Sequence, residues 1–339
     1  MRQQGLMKTG YYLAVLLFGL VTPTMAEVTV YGKIHVSGDY IDNGDDSDVA
    51  IGSNSSRIGF KGSEKIDNNT KVIWKLESDI DVSGERSDLQ ARNRYLGISH
   101  GYGSLIIGYH DTPFKTLGGK AGVLHDTIAE RRAVLGVVDA SNKFNKRSKN
   151  GVMYVSPKLA GMEVRLMRSA GEEGGSGDDD GAITSLSVFY KHDNMYAGIA
   201  YEDQELLDAD GIRVGAGIVL GSTKLNILYE TLDSSDDKAF DRDVYGLSVI
   251  HQMDKWQLRA QVFKQDENAA KDDTGAILAG LGAFFKATKN TEFYGVIGAT
   301  LNEDNAKNPL AGSGHGDKYK PAKAGEDVKG ISFGMVTKF

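Results

Sequence analysis

The sequence predicts an all-β protein, a closed sixteen-stranded antiparallel β-barrel that spans a membrane. Three observations predict it: short segments with period-two alternation, connections that alternate between short and long, and prolines confined to connections. A soluble all-β sandwich is the alternative, because alternation alone does not say which face of a strand meets water. The regular rhythm of segments, an N-terminal leader and an aromatic last residue favour the barrel.

The first 26 residues have the pattern of a cleaved signal peptide. Arg2 and Lys8 form a basic start, and 12–21 is an apolar core too short to span a bilayer as a helix. Thr24–Ala26 supplies the small residues of a cleavage site. We therefore expect an exported chain whose mature part, 27–339, is a single domain.

Charge and composition exclude several classes of function. The net charge is −7, and loss of the two basic and no acidic residues of the leader takes it to −9, which argues against a nucleic-acid partner. The chain has no cysteine, and its seven histidines lie far apart, so we expect no disulfide, no metal site and no cofactor. Nothing resembles a catalytic constellation, and we expect no enzymatic activity.

The first strand shows the alternation clearly. Val28, Val30 and Ile34 fall on one face, whereas Lys33 and His35 fall on the other. The same pattern recurs along the chain and predicts strands over 28–40, 54–63, 70–83, 92–100, 104–110, 147–156, 161–170, 183–192, 195–203, 209–220, 223–232, 241–253, 255–266, 275–287, 291–301 and 329–339.

The connections between these segments alternate in length. Turns such as 101–103 and 193–194 are short, whereas 41–53, 171–182 and 302–328 are long and mostly acidic. Short turns at one end and long loops at the other are typical of outer-membrane barrels, and an even strand number places both termini at the short-turn end. Proline lacks a donor for the ladder, and each proline after the leader lies in a connection: Pro113, Pro157, Pro309 and Pro321.

The longest segment without a clear period in the middle of the chain is 111–146. A compact domain rarely tolerates a connection of this length unless it has a function. The segment also contains several charged residues among its glycines. We therefore expect the barrel to be a wall around this loop.

Several short motifs follow one another along the chain. They are AEVTVYGK (26–33), SRIGFKG (56–62), RNRYLGI (92–98), GSLIIGY (103–109), TPFK (112–115), RSKNGVMYVSP (147–157), LAGM (159–162) and the terminal Phe339. In this order and spacing they resemble the general diffusion porins of Gram-negative bacteria, and the resemblance covers essentially the whole mature chain. It implies a trimer of sixteen-stranded barrels in the outer membrane, with the third extracellular loop, 111–146, folded inward as a constriction.

The resemblance also implies site residues. A basic ladder on the barrel wall would comprise Lys33, Arg57 and Arg92, and alternation adds Lys61 and Arg94 to the same faces. The acidic residues Asp126 and Glu130 of the loop would oppose this ladder across a transverse field. Three further arginines lie in the loop or at its exit: Arg131, Arg132 and Arg147.

The implied partners follow from the same resemblance. Glu85 and Asp88, in the second extracellular loop, would contact the neighbouring subunit of a homotrimer, and Phe339 would be the signal that the barrel assembly machinery recognises. The outer loops would face lipopolysaccharide, and the barrel would face outer-membrane lipid.

Three functions remain open at this point. They are passive diffusion of ions and small hydrophilic solutes, substrate-specific transport through a solute-binding constriction, and a barrel enzyme or adhesin. The predicted constriction is rich in basic residues, whereas the outer loops are acidic, and the Debye length is only ~8 Å at ~0.15 M salt. We therefore expect an anion preference set by the constriction.

Overall fold

The structure, a computed structural model, describes residues 27–87, 89–137, 144–171 and 181–339. The predicted signal peptide, 1–26, lies outside the described residues. The strands in chain order are β1 (Glu27–Asp42), β2 (Ser47–Ser53), β3 (Arg57–Lys65), β4 (Lys71–Asp79), β5 (Gln90–His100), β6 (Gly103–Asp111), β7 (Arg147–Val155), β8 (Met162–Ser169), β9 (Ile183–His192), β10 (Met195–Gln204), β11 (Ala209–Leu220), β12 (Thr223–Ser234), β13 (Arg242–Met253), β14 (Trp256–Gln265), β15 (Ala276–Lys286), β16 (Thr291–Asn302) and β17 (Val328–Lys338). The described helices are α1 (Pro113–Ala121) and the 3-10 turns Arg131–Ala133 and Glu205–Leu207.

The strands form one antiparallel sheet that closes on itself. Each strand from β3 onward pairs with the next, and β17 pairs with β1. β2 and β3 share one position in the wall, because β2 pairs with 36–42 of β1 and β3 pairs with 27–33. The prediction of a closed sixteen-stranded antiparallel barrel is therefore confirmed.

The first long connection was predicted wrongly. Residues 41–53 were expected to form an acidic loop, but β1 continues to Asp42, and β2 begins at Ser47. The hairpin turn between them is short, and Asn43 N–H donates to Asp46 O at 3.1 Å. Alternation in β2 is weak because Val49 and Ile51 are its only large apolar residues. The wall is then interrupted at 54–56, where Ser55 has a left-handed φ of 50°.

The outer face of the barrel is apolar and exposed. Leu96, Ile98, Leu247 and Ile297 are all more than half exposed. A soluble sandwich would bury such a band, whereas a membrane barrel presents it to lipid. In the described part of the chain no helix has the length and apolar character needed to cross a membrane.

The buried apolar residues belong largely to the segment between β6 and β7 and to the wall that it contacts. Phe114, Leu124, Ile128 and Leu135 of this segment are at most 1% exposed. We call its described residues, 112–137 and 144–146, the inner loop. The apolar core of this protein therefore lies between a loop and the inward face of the barrel wall.

The C-terminal residue closes the barrel against the first strand. Gly32 N–H donates to Phe339 O at 2.9 Å, and Phe339 N–H donates to Gly32 O at 3.2 Å. The ring of Phe339 lies over Gly32, where any Cβ would collide with it. The position of the last residue therefore depends on a glycine in β1.

Deletion of Phe339 is expected to reduce the amount of folded protein in the outer membrane sharply, because it removes both closing hydrogen bonds. Heat-modifiability on gels of outer-membrane fractions measures this amount. Lys338→Gln is the matched control, since it leaves every backbone hydrogen bond in place. Normal levels of the deletion variant would show that the last residue has no part in assembly.

Candidate functional site

The inner loop begins with a helix packed against the barrel wall. Thr112 is the N-cap of α1, and its Oγ1 accepts a hydrogen bond from Lys115 N–H at 3.2 Å. Leu117 projects toward Gly198, where a Cβ would lie 2.8 Å from its side chain. Phe114 lies in the same way against Gly211, at 3.1 Å. Glycines in β10 and β11 thus leave space for the helix.

The loop then continues across the next two strands. The Gln261 side chain of β14 accepts from Val123 N–H at 2.9 Å and from Leu124 N–H at 3.2 Å, and it donates to Ala129 O at 2.7 Å. The Ser248 hydroxyl of β13 donates to a carbonyl at the end of α1. Buried polar groups require such partners, and these contacts fix the path of the loop along the inward face.

A fully buried ion pair holds both ends of the inner loop. Arg213 of β11 and Glu230 of β12 are paired, and the side chains of both are 0% exposed. Arg213 also donates to Phe114 O at 2.8 Å and to Asn145 Oδ1 at 3.1 Å. Glu230 accepts from Gly136 N–H at 2.6 Å. One pair on the wall therefore contacts the loop near its start and near its end.

The far side of the loop contacts β1 through Asp126. Its carboxylate lies 2.8 Å from Lys33 Nζ, 3.0 Å from Arg132 Nη2 and 3.8 Å from Arg57 Nη2. Asp126 has a left-handed φ of 57°, which aspartate tolerates better than most residues. The structure thus brings together four predicted site residues around one carboxylate: Lys33, Arg57, Asp126 and Arg132.

Glu130 is buried, and its charge is neutralised by arginines of the same loop. It lies 2.7 Å from Arg131 Nη1 and 3.1 Å from Arg132 Nε, and it accepts from Asp126 N–H at 2.7 Å. The expected arrangement, with both loop acids facing the basic wall across open space, is wrong for Glu130. Its two neighbouring arginines satisfy it instead.

The charges of this cluster are fixed by their neighbours. Burial would raise the pKa of the Asp126 carboxyl, but the charges of Lys33 and Arg132 outweigh burial and hold the pKa below its ordinary range. Burial opposes ionisation of Glu130 too, yet Arg132 and Arg131 lower its pKa to about 2. Burial and then Arg131 lower the pKa of His125 to about 4, so that its imidazole is neutral near pH 7.

The rest of the predicted basic ladder is only partly assembled. Arg92 faces inward, but its partners are Glu77 at 2.8 Å and Asp79 at 3.0 Å on β4, and not the loop. Lys61 is exposed, roughly 13 Å nearer the short-turn end than Arg57. Its ammonium lies 5.5 Å from the centre of the Tyr31 ring.

Arg94 was placed on the wrong face by alternation. A β-bulge between β4 and β5 inserts one residue near Arg92, and Arg94 consequently lies opposite Leu76. Leu76 is on the outer face and 53% exposed. Arg94 donates to the Ser78 hydroxyl on that face at 2.7 Å. It therefore does not belong to the inward basic wall.

The remaining predicted residues lie away from this cluster. Arg147 is at the loop exit and contacts Asp111 at 3.2 Å, also donating to Asn93 at 3.2 Å. Glu85 is exposed in the connection between β4 and β5, and Asp88 lies outside the described residues. The described residues contain no group of three or more histidine, aspartate or glutamate side chains that could hold a metal ion.

Sequence reasoning did not predict the position of the last loop, residues 303–327. Ser55 Oγ donates to Gly314 O at 2.9 Å, and Gly316 N–H donates to Asn54 Oδ1 at 2.9 Å. His315 lies 3.0 Å from Asp39 of β1, and both side chains are fully buried. The last loop is therefore seated against the inward face of β1 and the interruption after β2. The sequence pattern predicted only one of the long, mostly acidic connections here.

Sequence reasoning also missed a set of cations at the short-turn end. A cavity of about 640 Å³ lies there, and we call it the short-turn cavity. Arg259, at 3.7 Å from the centre of the Phe284 ring, lies on its wall and pairs with Glu292 at 2.8 Å. The lining also includes Lys286, Lys289 and Lys338, together with Lys33, Arg57 and Asp126. In the sequence, Arg259 stands out as the charged residue between Gln257 and Gln261 on the polar face of β14.

A closed barrel with an apolar exterior, a charged interior and a loop packed along its inner wall is an outer-membrane β-barrel of the porin class. A family model for Gram-negative porins matches residues 13–305. The chain belongs to the Gram-negative porin family, and it is located in the outer membrane. The predicted resemblance is confirmed.

A curated outer membrane protein is also similar in sequence to this chain. The major outer membrane protein P.IB of Neisseria gonorrhoeae is 26% identical over 203 residues, which cover 56% of this chain and 55% of that protein. The chain thus spans about half the length of the curated relatives it matches.

Solved structures share the fold. An anion-selective porin from Comamonas acidovorans has a TM-score of 0.79 at 22% identity, with 93% of this chain and 100% of that chain covered. OmpT of Vibrio cholerae, in a trimer form, has a TM-score of 0.69 at 16% identity, with 93% and 99% covered.

The variant Arg213→Met is expected to loosen the inner loop, because it leaves Glu230 buried without its partner at a cost of about 3–5 kcal/mol. Single-channel recordings should show a higher conductance and more current noise than in the parent protein.

The double variant Arg213→Met/Glu230→Leu is the matched control, since no buried charge is left unpaired. It should recover part of the parental conductance. If the single variant keeps the parental conductance and noise, the buried pair does not determine the position of the loop.

Proposed function

We propose that the protein is a general porin, a water-filled channel for passive diffusion of ions and small hydrophilic solutes, with a preference for anions and no enzymatic activity. The observation that carries the preference is the charge balance of the inner loop. Asp126 and Glu130 are matched by Arg131 and Arg132 of the same loop. The loop therefore adds no net negative charge to oppose the basic wall.

The basic residues of the wall are consequently in excess. Lys33 and Arg57 lie next to an acid that Arg132 already neutralises. Arg92 is offset by Glu77 and Asp79, so the excess rests on the first two residues and on lysines of the short-turn cavity. Fixed charges along a narrow aqueous passage select ions by the sign of the field.

The acidic outer loops act in the opposite direction but from farther away. Asp45 and Asp46, at the tip of the first hairpin, are exposed to solvent. At ~0.15 M salt such charges are screened beyond ~8 Å, whereas charges in a confined, partly low-dielectric passage are screened less. The lumen is therefore expected to dominate. The anion-selective porin from Comamonas acidovorans provides a precedent on the same fold.

Substrate-specific transport is the second candidate, and the contact between Lys33 and Asp126 favours it. This contact, at 2.8 Å, joins the inner loop to the basic wall and leaves no room for a solute between the two side chains. A specific channel shows solute flux that saturates at ordinary concentrations. A general porin shows ohmic conductance and flux that rises linearly with solute concentration, and planar-bilayer conductance with liposome swelling distinguishes the two. No observation on the described residues favours an enzyme or an adhesin.

We expect a homotrimer that resists mild detergent. The trimer form of the structurally similar OmpT supports it, as does the exposure of Glu85 between β4 and β5, where a neighbouring subunit would make contact. Light scattering and unboiled gels measure the mass of the assembly. A monomer in both measurements would contradict the proposal.

The double variant Arg57→Gln/Arg92→Gln is expected to shift the reversal potential toward cations. It removes two inward positive charges and leaves Glu77 and Asp79 without Arg92. Conductance should rise slightly, because two long side chains become shorter. Bilayer recordings in a salt gradient measure both quantities.

The matched control is Asp45→Asn/Asp46→Asn, which changes two charges at the hairpin tip. It should move the reversal potential much less than the arginine variant does. If the control variant shifts the reversal potential and the arginine variant does not, the outer loops control ion permeation and the barrel wall does not.

A further inference from the structure

A second cavity lies at the long-loop end of the barrel, on the other side of the inner loop. Its volume is about 520 Å³, and we call it the long-loop cavity. Arg132 and Ala133 of the inner loop line one side, residues of the last loop line another, and Arg242 and Gln265 of β13 and β14 complete it. This volume lies within the range of roughly 300–1,000 Å³ that small-molecule sites have.

The wall contributed by the last loop is held in place by hydrogen bonds. Leu310 and Tyr319 exchange backbone hydrogen bonds at 2.8 and 3.0 Å. Asn308 donates to Ala133 O of the inner loop at 3.3 Å, and its own N–H donates to Asn302 Oδ1 at 2.9 Å. The cavity is therefore a defined space between two seated loops.

The charge of the residues that line the long-loop cavity differs from that of the chain as a whole. The chain has a net charge of −7. Yet among the residues that the structure describes, the lining has no aspartate or glutamate, and its charged members are all positive. They are Arg132, Arg242, Lys307, Lys318 and Lys320.

The two lysines beside Tyr319 have a common orientation. The Tyr319 hydroxyl donates to Asp39 of β1 at 2.9 Å, so this side chain points toward the barrel wall. Neighbours in an extended segment point the opposite way. Lys318 and Lys320 are both exposed and both line the cavity. A concave surface of one sign of charge concentrates counter-ions.

Neutral polar groups lie among these cations. The lining includes the amide side chains of Gln265, Asn268, Asn305 and Asn308 and the Thr274 hydroxyl. Amides and hydroxyls donate to and accept from sugar hydroxyls, whereas lysine and arginine bind phosphate or carboxylate. The mixture fits a hydroxylated anion better than a simple inorganic one.

We propose that the long-loop cavity is a weak binding site for anionic sugars, either phosphorylated or carboxylated, at the external entrance of the channel. The proposal deepens the proposed function and rests on it, because a bound anion at the entrance matters only if the barrel conducts. Weak binding would raise the local concentration of such solutes before they pass the inner loop.

The test uses the purified full-length protein in a planar bilayer, with glucose 6-phosphate added on the long-loop side. The chloride current should fall with concentration and reach a plateau. Glucuronate tests the carboxylated class: an equal block would show that the site takes both groups, and no block would restrict the site to phosphorylated sugars. Neutral glucose and inorganic phosphate should each have a much weaker effect, because each lacks half of the recognised chemistry.

The variant Lys318→Gln/Lys320→Gln should raise the half-blocking concentration roughly tenfold, the expected loss from two partly exposed charge contacts. Lys65→Gln/Lys71→Gln, at the turn between β3 and β4 and outside the linings of both cavities, is the matched control with the same change in net charge. It should leave the half-blocking concentration unchanged. An equal shift in both variants, a block without a plateau, or an equal effect of inorganic phosphate would overturn the proposed site.

Equilibrium dialysis of the detergent-solubilised protein with labelled glucose 6-phosphate separates this proposal from the proposed function. Binding that is weakened by Lys318→Gln/Lys320→Gln, in a protein that conducts no current, would support the cavity and contradict the channel. Conductance without any such binding would support the channel and contradict the cavity. The elution volume and heat-modifiability of each variant establish that it is folded.

Discussion

The buried ion pair between Arg213 and Glu230 is the interaction on which the interior of this barrel depends. Removing two charges from water is expensive, and the pair is tolerated only because its other donors and acceptors are satisfied. The groups that satisfy it are Phe114 O, Asn145 Oδ1 and Gly136 N–H of the inner loop. The position of the loop and the burial of the pair therefore require each other.

The electrostatics of the passage follow from this position. With the loop held along β9–β14, Asp126 reaches Lys33 of β1, and Arg131 and Arg132 lie beside Glu130. The loop thus neutralises its own acids and leaves the basic wall in excess. The last loop then rests on β1 and on the inner loop. One cavity lies on each side of the inner loop, and each lining has more cations than acids.

Much of the wall was predictable, because period-two alternation is a local property that each strand carries in its own sequence. The strand number and the closure followed from the alternation and the connection lengths, whereas the family followed from the resemblance of short motifs such as SRIGFKG (56–62). The bulge beside Arg92 was not predictable, since one inserted residue reverses the face of Arg94 without a local signal. Glu130 pairs with its neighbours Arg131 and Arg132, and strand alternation could not predict this pairing because the segment has no regular period. The position of the last loop near Asp39 depends on contacts between distant parts of the chain. Arg213 was visible only as an arginine in a glycine-rich strand.

The central claim is that charges inside the barrel, and not the net charge of the chain, set the ion preference. The zero-current potential of the unmodified protein across a potassium chloride gradient tests it most directly. The account predicts a potential whose sign shows chloride to be more permeant than potassium, even though the chain carries a net charge of −7. A potential with the sign of potassium selectivity would contradict it.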